Sequence, residues 1–330
     1  MLGVRRREFV IALGGAASWP LAAYAQRAMP VVGILNSGGA NPYGLMNKAL
    51  IRGLAEAGFV EGRNVKFEER FADGHYERVA ELAAELAGMP VAVLAVPAGD
   101  AAALAAKKTV PATIPIVFIV GGDPVRSGLV SGLNRPGGNA TGVNIFTSVL
   151  AAKRLELLRD LVPKGELFGV LVNPDNANAQ VDIQNLNESS NALRQKLVIR
   201  QARTEQDIDQ AFVAFAEEHK VAAVMVNSDP YFLNQRDQLA RLAGQYLLPA
   251  IYSVREHVLA GGLISYGIDL THAYYQVGVV AGRILKGEKV SDIPVEQPTK
   301  FQMVLNLKAA RTLGLDVPPS IVVRTNEVLD

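Results

Sequence analysis

The chain repeats one pattern of apolar strand and polar loop at a nearly constant distance. Three pairs of equivalent positions occur in the same order in both copies: Asn36 and Asn173, Val96 and Val226, and Pro115 and Pro249. Their offsets are 137, 130 and 134 residues. A pattern that recurs in order over three elements predicts two lobes of like topology. The crevice between two such lobes is a natural place to bind a ligand.

The composition excludes several classes of site. The 330 residues suit two packed units, and their net charge of +1 does not indicate a nucleic-acid partner. The chain has no cysteine and only four scattered histidines, so neither disulfides nor a metal site is expected. No G-x-G-x-x-G fingerprint or phosphate loop is present, and we therefore expect no cofactor.

Residues 1–25 have the features of a cleaved export signal. A basic segment with Arg6 and Arg7 precedes a mostly apolar stretch over 11–22, and residues 23–25 fit a small-x-small cleavage site. The apolar stretch is too short to span a bilayer, so stable membrane insertion is not expected. The paired arginines resemble a twin-arginine signal, and the alternative is a general secretory signal. Both routes predict a mature protein in the periplasm or outside the cell.

The mature chain alternates short apolar runs with helical segments, which predicts an α/β protein with parallel sheets flanked by helices. The predicted strands are 31–35, 65–71, 91–96 and 114–120 in the first copy, and 167–172, 197–201, 221–226 and 250–252 in the second. The Gly-, Pro- and Asn-rich segment 134–142 is predicted to be a crossover between the copies. Helices are predicted over 207–219, 229–246 and 270–285, and the last is expected to return to the first lobe.

Several segments resemble the periplasmic substrate-binding proteins of ABC importers, in the family that includes tryptophan- and tyrosine-type binding proteins. The most specific are 121–125, 134–142, 152–158, 265–267 and 297–301. The resemblance implies a type I periplasmic-binding-protein fold, in which two Rossmann-like lobes with parallel sheets are joined by a multi-strand hinge. It also implies a non-catalytic receptor, expected to be a monomer, that delivers a small-molecule ligand to an ABC permease.

The expected first lobe contains residues 29–143 plus about 267–300, and the second contains 144–266 plus about 301–330. Ligands of open α/β sheets lie beyond the carboxyl ends of the strands, next to helix N-termini. The candidate ligand contacts are therefore loop and strand-end residues: Asn36, Ser37, Ala98, Gly99, Gly121, Asp123, Asn144, Asn173, Asp175, Asn176, Asn178, Asp229, Tyr252 and Tyr266. The second copy is richer in Asn, Asp and Tyr, so it is expected to supply most side-chain specificity.

Alternatives remain for individual residues and for function. Asp229 could pair with a ligand ammonium or cap the helix that begins at Pro230. Tyr231 and Phe232 could stack on a flat ligand or pack within their own lobe. The ligand is expected to be an amino acid or an aromatic or other organic acid. An exported enzyme, with Asp123, Asp175 or Asp229 as general acid or base, and a ligand sensor are the alternative functions.

Overall fold

The first lobe is formed around a five-stranded sheet. The computed structural model describes residues 29–330, so the predicted export signal with Arg6 and Arg7 lies outside the described residues. The strands are β1 (Val31–Asn36), β2 (Lys66–Phe71), β3 (Val91–Val96), β4 (Ile116–Val120) and β5 (Ala140–Asn144). They lie in the order β2-β1-β3-β4-β5, and all neighbours are parallel. The inner strands β1, β3 and β4 are nearly continuous buried apolar runs, as expected for a sheet covered on both faces.

The second lobe is formed around a seven-stranded sheet. Its strands are β6 (Leu167–Val172), β7 (Lys196–Gln201), β8 (Ala223–Val226), β9 (Ala250–Tyr252), β10 (Ile264–Ile268), β11 (Phe301–Asn306) and β12 (Glu327–Leu329). They lie in the order β7-β6-β8-β9-β10-β11-β12. Only the β10–β11 pair is antiparallel among the strand pairs of the described chain.

The two sheets have the same order over five strands, which confirms the α/β fold of two similar lobes. The order β2-β1-β3-β4-β5 in the first sheet corresponds to β7-β6-β8-β9-β10 in the second. Asn36 is the last residue of β1, and Asn173 directly follows β6. The equivalent positions of the sequence repeat therefore occupy equivalent positions of the two sheets.

Helices connect the strands and cover both sheets. They are α1 (Ala40–Glu56), α2 (Val79–Ala87), α3 (Asp100–Thr109), α4 (Thr147–Leu161), α5 (Ala179–Leu193), α6 (Glu205–Val213), α7 (Pro230–Asn234), α8 (Arg236–Gln245), α9 (Arg255–Leu259), α10 (Leu270–Leu285), α11 (Leu307–Thr312) and α12 (Pro319–Arg324). Short 3-10 turns occur at Tyr76–Arg78 and Val290–Asp292, and a π turn at Ala214–Glu218 extends α6.

Three predicted elements differ from the structure. The helix predicted over 229–246 is two helices, α7 and α8, which break at Gln235 with a non-helical ψ of 18°. The helix predicted over 207–219 ends in the π turn. The segment 134–142, predicted to be a crossover, ends inside strand β5, because Ala140–Gly142 pairs with β4. Gly142 lies so close to the Phe118 backbone that a Cβ atom at this position would overlap the Phe118 oxygen.

Helix α10 packs in the first lobe, although it follows β10 of the second. Its partner is α1, and the two helices approach closely because glycines lie at their contact. A Cβ atom at Gly278 would overlap the backbone oxygen of Leu50, and one at Gly53 would overlap that of Tyr275. The apolar cluster of this lobe contains residues of both helices, including Leu54 and Val277.

The chain passes between the sheets at three places within residues 29–330. These are the segments 144–147, 268–270 and 296–301. The first and third segments are hydrogen bonded to each other next to strand β5. Asn144 N donates to Glu296 O at 2.9 Å, and Glu296 N donates to Gly142 O at 2.8 Å. We propose lobe limits of 29–143 with about 267–300, and 144–266 with about 301–330.

Among the helices of residues 29–330, none has both the length and the apolar character needed to cross a membrane.

Candidate functional site

A cavity lies where the strand-to-helix loops of the two lobes face each other. The first lobe contributes Tyr43, Tyr76, the loop 97–101 and residues 119–121. The remaining lining residues are Ile145, Thr147, Asn176, Asn178, Ser228, Asp229, Pro230, Leu233, Ser253, Val254 and Leu270. The cavity is therefore at the carboxyl ends of the strands, where ligands of open α/β sheets bind. Its position agrees with the crevice that the repeat predicts.

Asp229 is the most fully hydrogen-bonded acid of the cavity. Its Oδ1 accepts from Asn173 Nδ2 at 3.0 Å and from the backbone N–H of Tyr231 at 2.9 Å. Its Oδ2 accepts from Tyr76 Oη at 2.9 Å and from Asn176 Nδ2 at 2.8 Å. Burial raises the pKa of the Asp229 carboxyl, and these hydrogen bonds oppose that rise. Four donors and no acceptor suit the ionised carboxylate.

Asp100 is the second buried acid of the cavity, and it holds the loop after β4 in place. Its Oδ2 accepts from Gly121 N at 2.8 Å, and its Oδ1 accepts from Gly122 N at 3.1 Å. The side chain of Asn178, from the second lobe, is also hydrogen bonded to it. Burial raises the pKa of Asp100, and these bonds lower it. Asp100 therefore joins its own lobe to the second lobe.

Two tyrosines of the first lobe reach across the cavity to the second lobe. Tyr43, in the first turns of α1, donates to the backbone oxygen of Pro230 at 3.3 Å. Tyr76, in the 3-10 turn after β2, donates to Asp229. Burial and the neighbouring Asp229 charge raise the pKa of both phenols, so both hydroxyls remain protonated donors at neutral pH.

Further contacts join the rims of the two lobes. Gly39 N donates to Asn234 Oδ1 at 3.0 Å, and Arg236 Nη2 donates to Asn41 Oδ1 at 3.1 Å. Asn41 lies at the start of α1, but no side-chain cap hydrogen bond is present there. Its side chain instead receives the hydrogen bond from Arg236. The crevice is thus closed by polar contacts on the side of α1.

Two glycines allow the lobes to approach at the back of the cavity. A Cβ atom at Gly122 would overlap Oδ1 of Asn178 and would lie 2.7 Å from its Cγ. A Cβ atom at Gly121 would overlap Oγ1 of Thr147. Nonbonded carbon atoms normally lie about 3.5–4.0 Å apart, so a larger residue at either position would require the Asn178 or Thr147 side chain to move while the lobes are together.

The remaining polar groups of the cavity are hydroxyls. Within the described chain, the hydroxyl groups of Thr147, Ser228 and Ser253 make no hydrogen bond to another protein group, and all three residues line the cavity. The cavity also lies at the first turn of α3, where Ala101 contributes an N–H group without an intrahelical acceptor. No lysine or arginine is among the described residues of the lining.

The structure brings six of the fourteen predicted contacts to the lining of the cavity. They are Ala98, Gly99, Gly121, Asn176, Asn178 and Asp229. Asp229 also caps α7 through Tyr231 N, which is the capping role considered from the sequence. Tyr231 and Phe232 pack in the apolar cluster of the second lobe, so the packing alternative describes them.

Four other predicted contacts do not line the cavity: Asn36, Ser37 and Asn173 are buried behind it, and Asp175 is exposed. Asn36 binds Tyr274 Oη and Asn47 with its amide, and the Ser37 hydroxyl donates to Ala98 O at 2.8 Å. Asn173 donates to Asp229 and accepts from Asp175 N, while Asp175 is exposed and pairs with Arg203 at 3.0 Å. These side chains position the loops of the cavity and do not line it.

The last four predicted contacts lie elsewhere. Asp123 and Asn144 line a neighbouring hollow, where each accepts hydrogen bonds from nearby backbone N–H groups. Tyr252 is fully buried in the second lobe and is stacked on His257. The half-buried ring of Tyr266 lies 6.2 Å from that of Phe301, measured between centroids. Tyr252 does not line the cavity although its neighbour Ser253 does, because successive side chains along a strand point to opposite faces of the sheet.

Tyr43, Tyr76, Thr147, Ser228 and Ser253 were not predicted as contacts. Ser228 and Ser253 follow β8 and β9, so the strand-end rule includes them. Tyr43 and Tyr76 come from helical turns beyond the strand ends, and no spacing in the sequence indicates that they cross to the other lobe.

The arrangement does not provide a metal site or an acid–base pair of free carboxylates. Among residues 29–330, no group of three or more His, Asp or Glu side chains could hold a metal ion. The three aspartates considered as acids or bases do not converge. Asp123 and Asp175 are exposed and lie outside the cavity lining, and Asp229 is saturated with hydrogen bonds.

Comparison with known proteins identifies similar sequences and structures. The model of the family described as ABC transporter substrate binding protein matches residues 43–329. A tyrosine-binding protein of Clostridioides difficile (strain R20291) is 26% identical over 271 residues, which cover 81% of this chain and 76% of that protein.

Solved structures share the two-lobe fold. A conserved domain protein of Vibrio cholerae has 26% identity and a TM-score of 0.83, and the match covers 91% of this chain and all of that one. A Streptococcus pneumoniae ABC domain in complex with L-Trp has 23% identity and a TM-score of 0.82, over 92% of this chain and all of that one. The ligand-free, open structure of a substrate-binding protein from Clostridium difficile has 25% identity and a TM-score of 0.64, over 91% and 99%.

Proposed function

The chain belongs to the family of ABC transporter substrate-binding proteins, and we propose that it captures a small organic ligand between its two lobes and delivers it to an ABC permease. The ligand is an amino acid or an aromatic or other organic acid. The protein acts in the periplasm as a monomer and without a cofactor. It releases its ligand unaltered and does not act as an enzyme.

The observation that carries this proposal is the set of polar contacts made across the cavity. Tyr76 of the first lobe bonds to Asp229 of the second, and Asn178 of the second lobe bonds to Asp100 of the first. These contacts require the lobes to be together. A ligand in the cavity would touch both lobes only in this closed arrangement, so its binding energy would shift the protein toward closure.

The comparisons support a ligand-dependent movement of the lobes. The Vibrio cholerae and Clostridium difficile structures have similar identity to this chain, yet their TM-scores are 0.83 and 0.64. The lower value belongs to an open structure, and a different angle between two rigid lobes would produce such a difference. The tyrosine-binding relative supports an aromatic ligand, as do the two tyrosines of the lining.

A thermal-shift screen across amino acids, aromatic acids and other small organic acids tests the proposal. A ligand that binds only the folded protein raises the melting temperature with the logarithm of its concentration above Kd. Mass spectrometry of the bound fraction should then return an unaltered solute. A screen in which no such compound stabilises the protein contradicts the proposal, and a chemically converted solute would indicate an enzyme.

Alanine at Asn176 or Asn178 should weaken binding of a ligand found in that screen by about tenfold, because each loses an amide that lines the cavity and bonds a buried carboxylate. The matched variant is Ser37→Ala, whose hydroxyl bonds only Ala98 O behind the lining. Isothermal titration calorimetry should show a smaller loss for Ser37→Ala. The reverse ranking would contradict the assignment of specificity to the second lobe.

A further inference from the structure

A second hollow lies between the two lobes, beside the candidate ligand cavity. Its volume is about 320 Å³, at the lower end of the range of small-molecule sites. The first lobe contributes the loop 121–123, Arg126 and Leu133. The crossing segment and the second lobe contribute Asn144, Phe146, Val149, Val181 and Asn185. Gly121 lines both the hollow and the cavity. Because its walls belong to both lobes, the hollow is complete only while the lobes are together.

Asn144 lines the hollow with a hydrogen-bond donor that has no protein partner. The residue ends strand β5 and is 1% exposed. Its Oδ1 accepts from Phe146 N at 3.1 Å, whereas its Nδ2 donates to no other group within residues 29–330. Buried side-chain donors of folded proteins nearly always have an acceptor. An oxygen atom of a ligand in the hollow would provide one.

Two opposite charges also line the hollow, and they are not paired with each other. Asp123 and Arg126 lie in one turn, where Asp123 Oδ1 accepts from the backbone N–H groups of Val125 and Arg126. Neither charged side chain forms an ion pair in the part of the chain that the structure describes. A carboxylate accepts hydrogen bonds from an ammonium, and a guanidinium pairs with a carboxylate. The turn can therefore bind a molecule that carries one charge of each sign.

The apolar walls of the hollow come mainly from the second lobe. They are formed by Phe146, Val149 and Val181, with Leu133 on the side of the first lobe. Val149 is 69% exposed, so its apolar surface is open to contact with a ligand. An apolar side chain placed against these walls would remove apolar surface from water, which is favourable. The charged groups thus belong to the first lobe and most of the apolar surface belongs to the second.

We propose that the hollow is a second ligand site, for a free amino acid with an apolar side chain, and that its occupancy favours the closed state. The carboxylate of the amino acid pairs with Arg126 and accepts from Asn144 Nδ2, while its ammonium pairs with Asp123. Its side chain packs on Val149 and Val181. A ligand that touches both lobes binds the closed state more tightly, so by linkage it raises the affinity for the ligand of the cavity. The site does not depend on which compound the cavity binds.

Methyl NMR spectroscopy with unlabelled L-leucine locates the site. Val149 and Val181 line the hollow, whereas Leu233 and Val254 line the cavity. Nuclear Overhauser effects should join the methyl groups of L-leucine to Val149 and Val181, whether or not the cavity responds as well. Effects confined to Leu233 and Val254 would assign L-leucine to the cavity, which overturns the second site and leaves the proposed function standing. The absence of effects at all four residues also overturns the second site.

The charges are tested by following the Val149 and Val181 resonances in titrations. The compounds 4-methylpentanoate and 3-methylbutylamine each lack one charge of L-leucine. Each should bind the hollow at least about threefold more weakly, which corresponds to the loss of one partly exposed ion pair. Arg126→Gln should weaken binding of L-leucine by at least about threefold for the same reason.

Arg63→Gln is the matched control, because it removes the same charge from an exposed position of the first lobe outside the hollow. It should bind L-leucine as the wild type does. Equal weakening by Arg126→Gln and Arg63→Gln would indicate a general effect of charge and overturn the role of Arg126.

Small-angle X-ray scattering tests the effect on closure. At a concentration that half-saturates the hollow of the wild type, L-leucine should lower the radius of gyration of the wild type more than that of Arg126→Gln. An equal change in both proteins, or no change in either, would contradict the preference of this site for the closed state.

Discussion

Alanine at Gly122 should weaken ligand binding by about 100-fold, equivalent to about 2.7 kcal/mol, while both lobes remain folded. The added methyl group would overlap Oδ1 of Asn178 and lie 2.7 Å from its Cγ, so the Asn178 side chain would have to leave its place beside Asp100. Because Gly122 and Asn178 belong to different lobes, the overlap disfavours the closed state and not the folding of either lobe. Part of the binding free energy would then offset the cost of closing the lobes against this overlap, and the measured affinity would fall.

Gly44→Ala is the matched control for this prediction. Gly44 lies in α1, near the same crevice, and a Cβ atom there would have no atom within 4 Å. Calorimetry should show near wild-type affinity for Gly44→Ala, and small-angle X-ray scattering with saturating ligand should show a more open Gly122→Ala protein. Equal affinity of the two variants would contradict closure as the source of binding energy.

The contribution of a single buried histidine to the stability of the protein should fall by about 2 kcal/mol between pH 7 and pH 5. His257 is 2% exposed and is stacked on Tyr252 with 4.8 Å between ring centroids. Burial lowers the pKa of His257 to about 4. The carbonyl groups of Val254 and Phe232 oppose this shift, but neither ring nitrogen makes a well-formed hydrogen bond within the described chain.

The sign follows from the two pKa values. An unfolded histidine titrates near pH 6.5, so between pH 6.5 and 4 the unfolded chain binds a proton that the folded protein excludes. The stabilisation is complete above pH 6.5 and is lost as the pH falls toward 4. Urea unfolding at several pH values measures this loss, and His257→Phe, which cannot be protonated, should reduce it.

His75→Gln provides the control for the pH dependence, because His75 is exposed. Its unfolding free energy should follow the wild-type curve between pH 7 and pH 5. A His257→Phe variant with the full wild-type loss over this range would show that another group is responsible.

Much of the fold could be predicted from the sequence because strands and helices have local periodic signatures. Helix α10 has the predicted limits of 270 and 285, and strand β6 has those of 167 and 172. The breaks near Gln235 and at the π turn were not predicted, because neither position carries a glycine or proline that would mark the end of a helix. Strand β5 was hidden because its glycine-containing sequence resembles a turn, and only pairing with β4 makes it a strand.

The candidate site was predicted in position but not in its chemistry. The rule that ligands lie at the carboxyl ends of parallel strands placed Gly99, Gly121, Asn178 and Asp229 at the cavity. Tyr252 also lies at the end of a strand, but its side chain is buried in the core of the second lobe. The direction of a side chain at the end of a strand depends on register, which the sequence pattern did not specify.

The sequence by itself determined the two similar lobes and the crevice between them, because both copies contain the same local patterns of strands and helices in the same order. Only the tertiary structure decided which groups of the crevice are free. The bond from Tyr76 to Asp229 joins residues 153 positions apart on different lobes, and its existence depends on the distance between those lobes. The distance between the lobes depends on all the contacts across their interface, including the close approach that Gly122 allows. No local sequence pattern contains that information.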